Sequence, residues 1–151
     1  MRKALLLAAF ALAGCGESVK DDHFANDVKE ARATPTVARA DAVPVRIGEL
    51  GPNFDACGAV GTTRNLAAGA SLPVNAAPFE SAEQVGQVAA GTRFFVCSRS
   101  HDQRWLGVVY DPSGELAGGC GVSSPVTSRR NYEGPCRSGW VSSAFVKLIA
   151  G

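Results

Sequence analysis

Few side chains in this sequence could do covalent chemistry. It has five cysteines, two histidines and one methionine among 151 residues. Cys97 stands four positions before His101-Asp102, and a thiolate beside an imidazole is the arrangement of a cysteine nucleophile. The competing reading makes Cys97 a half-cystine, because it ends an apolar run rather than sitting in a polar turn. Ser123-Ser124 has no histidine near it in sequence, and no G-x-S-x-G stretch occurs. Glu80 and Glu83 lie in a polar segment where ordinary solvation accounts for them, and His23 belongs to a charged stretch far from any other candidate. No two cysteines stand two to four residues apart, as paired zinc ligands do. The expectation is a chain with no catalytic residues, no metal and no cofactor, and hence not an enzyme.

The state of the cysteines depends on the compartment, and the first residues speak to that. Met1-Arg2-Lys3 is positively charged, and residues 4–13 carry no polar side chain. A bilayer span needs about 20 apolar residues, so the pattern reads as an export signal rather than a membrane helix. Leu12-Ala13-Gly14-Cys15 resembles the lipobox of bacterial lipoproteins. The resemblance implies cleavage before Cys15, diacylglycerol on its sulfur and acylation of the new amine. With Gly16 next, rather than the Asp of the inner-membrane retention signal, it implies a lipid-anchored protein of the outer membrane, facing the periplasm. Each buried CH₂ of such an anchor contributes about 0.8 kcal/mol, so several chains together hold firmly. The membrane, through the N-terminal lipid, is thus the first expected partner.

Cleavage would remove two of the 15 basic residues, Arg2 and Lys3, and none of the 14 acidic ones. The remainder is nearly neutral, without the field that nucleic acid or anionic lipid would require. Arg129-Arg130 and Arg137 are too few to track phosphates. In an exported chain the remaining Cys57, Cys97, Cys120 and Cys136 read as a disulfide framework. Four cysteines allow three connectivities. The favoured one pairs Cys120 with Cys136, closing a Gly/Ser-rich loop, and Cys57 with Cys97.

The elements that must position these residues begin after a change of texture. Residues 15–42 mix charge and alanine with a thin apolar stripe and read as a flexible, lipidated tether behind a signal peptide at 1–14. From residue 43 to 151 short apolar runs alternate with Gly, Pro, Asn, Asp and Ser clusters. Val43-Pro-Val-Arg-Ile47 alternates with period two. Residues 57–63, 84–88, 93–98, 105–110, 139–142 and 146–149 read as strands. No stretch beyond Pro52 keeps helical periodicity. The predicted fold is all-β: a small barrel or sandwich of five to six short strands, interrupted by a long segment, 111–135, pinned by Cys120.

Several motifs in this region resemble those of bacterial SH3-like (SH3b) domains. Leu72-Pro-Val-Asn-Ala-Ala-Pro-Phe79 is similar to their opening L-x-V-R-x-x-P. Gln84-Val-Gly-Gln-Val88, Ala90-Gly91-Thr92 and Phe94-Phe-Val96 resemble their V-I-G-x-L-x-x-G-x-x-V-x-V core. Trp105-Leu-Gly-Val-Val109 looks like their tryptophan strand, and Gly139-Trp-Val-Ser-Ser-Ala-Phe-Val146 like their closing G-W-V-x-x-x-Y-V. The resemblance implies an SH3-like barrel in which 111–135 replaces a short distal turn. It also implies a non-catalytic module that binds cell-wall (peptidoglycan) peptides. Asn75 stands where the family usually has Arg, a group by which some members touch ligand.

Aromatic residues are the candidates for that binding. Phe79, Tyr110, Tyr132 and Trp140 are the expected ligand-binding set, beside Trp105 and Phe145. Tyr110 and Tyr132 are expected to be exposed, whereas Trp105, Trp140 and Phe145 equally suit a barrel core. The alternative function is a periplasmic protein–protein adaptor or inhibitor acting through the loop 111–135, held rigid by its disulfide.

Overall fold

Both faces of the central strands are apolar, and that property sets the architecture. A computed structural model describes residues 41–116 and 118–150. The signal at 1–14, Cys15 and the tether as far as residue 40 lie outside the described residues. Nine strands are found among the described residues: β1 Arg46–Ile47, β2 Ala59–Thr63, β3 Ser71–Asn75, β4 Gln84–Ala89, β5 Arg93–Arg99, β6 Trp105–Tyr110, β7 Arg130–Asn131, β8 Arg137–Ser142 and β9 Val146–Ala150. Single 3-10 turns form at Gly118–Cys120 and Ser143–Phe145. The all-β expectation therefore holds, with more strands than the five to six expected.

The strands form two antiparallel sheets. One has seven strands in the order β4-β3-β8-β6-β5-β2-β9, and the other is the β1-β7 ribbon. The larger sheet is open, with β4 and β9 at its edges. Two strands escape detection in the sequence. β3 contains Pro73, which removes a ladder donor; it survives because β3 pairs with β4 throughout but meets β8 only at Asn75–Trp140. β7 is two polar, exposed residues and has no apolar pattern to detect.

Alternation along β5 and β6 divides the core in two. Phe94 and Val96 of β5 join Leu106, Val108 and Tyr110 of β6 in an inner core with Leu72, Val74, Val88, Val141 and Val146. Phe95 and Cys97 face the other way, with Trp105, Val109 and Trp140. Every residue of β6 is buried, as expected for a strand covered on both faces. A second layer covers the outer face, supplying Val45, Ile47, Ala56, Cys57, Cys120 and Val122.

That layer is built from the segment before β2 and from 111–135. Ala56 N–H donates to Ser124 O at 3.0 Å, Cys57 N–H to Val122 O at 3.2 Å and Tyr132 N–H to Val45 O at 2.8 Å. Glu49 pairs with Arg46 at 3.4 Å and with Arg129 at 3.3 Å. The expected distal loop is thus a packed sheet covering, and its Val122 is fully buried. Burial of its apolar residues, together with these backbone bonds, holds the long connection in place.

The disulfides are Cys57–Cys97 and Cys120–Cys136, the favoured pairing. All four sulfurs belong to the outer core or pack against it. Cys97 lies where the β5–β6 register shifts between Val96 and Ser98, so a β-bulge presents it to Cys57. Two glycines have defined roles. Gly91, in the β4–β5 turn, has φ of 81°, and a Cβ on Gly107 would meet Ser98 Oγ and Val45.

Candidate functional site

A groove of about 430 Å³ opens where three separated segments meet. One wall is the 76–83 loop between β3 and β4. The other is formed by Arg104-Trp105 and by the Ser143–Phe145 turn ahead of β9. Local sequence explains how each is held.

Asn75 ends β3 at an irregularity in the β3–β4 register and is buried. Its Nδ2 donates to Phe79 O at 3.1 Å, and Ala76 N–H donates to Glu83 O at 2.8 Å. Together these bonds close the 76–83 loop and carry Phe79 and Glu80 to the surface. Asparagine is a short amide that can bond backbone locally.

Arg104 is anchored by a polar turn. Asp102 Oδ1 accepts from the Ser100 hydroxyl and from Arg104 N–H, the latter at 3.1 Å. Trp105 N–H donates to Ser100 Oγ at 3.0 Å, and Gln103 takes a left-handed φ of 59° to close the turn. The Ser100 hydroxyl, then the Arg104 amide, hold the exposed Asp102 carboxyl below the usual carboxylate range. Beyond the turn, Ser143 N–H donates to Arg104 O at 2.9 Å, joining this wall to the 3-10 turn. Arg64 steadies that turn from below, its N–H donating to Phe145 O at 2.8 Å and its Nε–H to Ala144 O at 3.2 Å.

Phe145, 37% exposed, gives the groove most of its apolar surface, and the largely buried Trp105, 9% exposed, lines it beneath. Gln84, Asn75 and Ser142 add neutral polar groups. Arg104 Nη2 and Glu80 Oε1 face one another at 3.9 Å, one from each wall. Aromatic surface with a few polar groups and one charge of each sign suits recognition of an extended polar ligand.

No family model, curated protein or solved structure matches this chain. The geometry of its own residues is what the site can be argued from.

The four expected ligand-binding aromatics do not share a surface. Phe79 is 42% exposed on the 76–83 loop and lines a separate hollow with Asp41 and Ala42, not the groove. Tyr110 is only 3% exposed, correcting the expectation that it faces solvent. As the last residue of β6 it alternates into the inner core, and desolvation raises its phenol pKa. Trp140 is 5% exposed in the outer core and donates its indole N–H to Val43 O. Tyr132 is half-buried, its hydroxyl donating to Cys120 O and accepting from Cys136 N–H, both at 3.0 Å. It braces the disulfide-closed segment.

Cys97 and His101 do line one hollow, together with Arg46 and Trp140. Cys97 is disulfide-bonded there, so it offers no thiolate for the nucleophile reading. Arg104 and Gln84 escaped the sequence reading. The signal that could have found Arg104 is Ser100-x-Asp102, a hydrogen-bonded turn placing the next residues ahead of a tryptophan strand.

Proposed function

We propose that this chain is a non-catalytic cell-envelope lipoprotein whose SH3-like module binds cell-wall (peptidoglycan) peptides. The observation that carries the reading is the groove between the 76–83 loop, Trp105 and Phe145. Those are the segments that the SH3b resemblance sets around the loop corresponding to the RT loop. The order β3, long loop, β4, β5, β6, β8, 3-10 turn, β9 supports it as well. In this reading β2 is an added strand beside β5, and 111–135 replaces the distal turn with a covering layer. Binding then rests on the exposed Phe145, with the largely buried Trp105 behind it, rather than on Trp140 or Tyr110.

Anchoring through Cys15 would place the groove within reach of the wall, in the outer membrane facing the periplasm. The full chain, purified oxidised in mild detergent, is expected to co-sediment saturably with isolated sacculi. Phe145→Ala should weaken that binding several-fold at an unchanged melting temperature. An absence of sedimentation under conditions that retain a known SH3b module would reject the reading. Incorporation of labelled palmitate that is lost in Cys15→Ser tests the anchor.

A further inference from the structure

We propose that Arg104 reads a carboxylate on the wall peptide that occupies the groove, and that Glu80 is the counter-ion it exchanges for that carboxylate. The inference rests on the wall-binding reading and specifies the chemistry of its ligand.

Arg104 is held at both ends of its residue. Its N–H is bonded to Asp102, its carbonyl accepts from Ser143, and the next residue is the buried Trp105. The guanidinium therefore projects from a fixed point on the groove wall. Among the described residues its ion-pair partner is Glu80, at 3.9 Å, which is beyond hydrogen-bond length. The two side chains are 73% and 87% exposed. Such a pair is loosely held and screened by solvent and salt. The Asp102 carboxylate also acts on Arg104 through space, but among the described residues neither carboxylate is hydrogen-bonded to the guanidinium, whose planar fork can take a carboxylate in a bidentate way.

The surroundings define the rest of the ligand. Trp105 and Phe145 would flank the carboxylate-bearing residue on the apolar side. Glu80, on the opposite wall, competes with an incoming carboxylate for as long as it faces Arg104. A neutral or cationic ligand would leave that pair in place and gain nothing from Arg104. A peptide whose carboxyl group is free gains a stronger pair than the one it displaces.

Sacculi whose peptide carboxylates have been converted to methylamides separate this inference from the reading beneath it. The full chain in mild detergent is expected to bind native sacculi at least tenfold more tightly than the amidated ones. Arg104→Gln should bind both equally and weakly, Arg104→Lys should keep part of the preference, and Glu80→Gln should bind native sacculi several-fold more tightly. Both sites are exposed, so melting temperatures should not change. Equal binding of native and amidated sacculi by the wild type, or a preference that survives Arg104→Gln, overturns the inference and leaves wall binding standing. Failure of the wild type on native sacculi overturns both.

Discussion

The indole N–H of Trp140 donates to the carbonyl of Val43 over 2.6 Å, joining residues 97 positions apart. One hydrogen bond thereby ties the entry of the domain to β8, in the face that the second layer covers. Of the two roles the sequence left open for Trp140, ligand contact or core, the structure shows a buried latch.

Replacing Trp140 by Phe should separate latch from ligand contact. It leaves the Val43 carbonyl without its donor and a gap where the larger ring packed, which together cost about 2–4 kcal/mol. Thermal unfolding followed by circular dichroism should show a clearly lowered midpoint. Sacculus binding at a temperature where the variant is folded should be retained.

Reducing the disulfides should also destabilise, and unequally. Chain entropy gives roughly 3–4 kcal/mol for each closure, with the longer loop worth more. The Cys57–Cys97 link spans 40 residues and Cys120–Cys136 spans 16. Removing the first pair as a double alanine variant should lower the urea midpoint more than removing the second. The reverse order would show that strain or packing outweighs loop length.

Deleting residues 112–134 distinguishes a covering layer from a free contact loop. An adaptor loop could be excised with the fold intact. Here the deletion removes Cys120 and the buried Val122, along with the carbonyls that pair with Ala56 and Cys57. The outer core would face water. The expected result is strong binding of a hydrophobic dye and loss of cooperative unfolding; a sharp transition near the wild-type midpoint would contradict the two-core architecture.

Alkaline pH should destabilise the domain through its tyrosines. Tyr110 and Tyr132 both have phenol pKa values raised by desolvation, the latter opposed by its bond from Cys136. A folded-state pKa above the unfolded one, near 10, means that stability is complete below pH 10 and declines as pH rises through the folded value. Unfolding titrations between about pH 8 and 12 should show that decline. Tyr110→Phe should flatten it, because the phenylalanine has no proton to lose on unfolding.

Many of the strands were legible because short apolar runs such as 93–98 and 105–110 stand between turn residues. The disulfide pairing was favoured from the loop that Cys120 and Cys136 enclose. Pro73 concealed β3, and β7 carried no apolar signal at all. In the groove, Trp105 and Phe145 were among the aromatic candidates, whereas Arg104 depends on a turn whose hydrogen bonds are visible only once Ser100 and Asp102 are folded together.

The sequence by itself determined an all-β chain with an even set of cysteines available for pairing beyond residue 43, since short apolar runs and turn residues act over a few positions. Tertiary structure alone decided which faces were dry. Alternation shows that Phe94 and Phe95 point to opposite sides of β5, but not that both sides are covered. Covering the second side required segments 43–57 and 111–135 to converge on one sheet. The same convergence buried Trp140 and most of Trp105, and alternation into the inner core buried Tyr110, leaving Phe145 and Arg104 exposed at the groove.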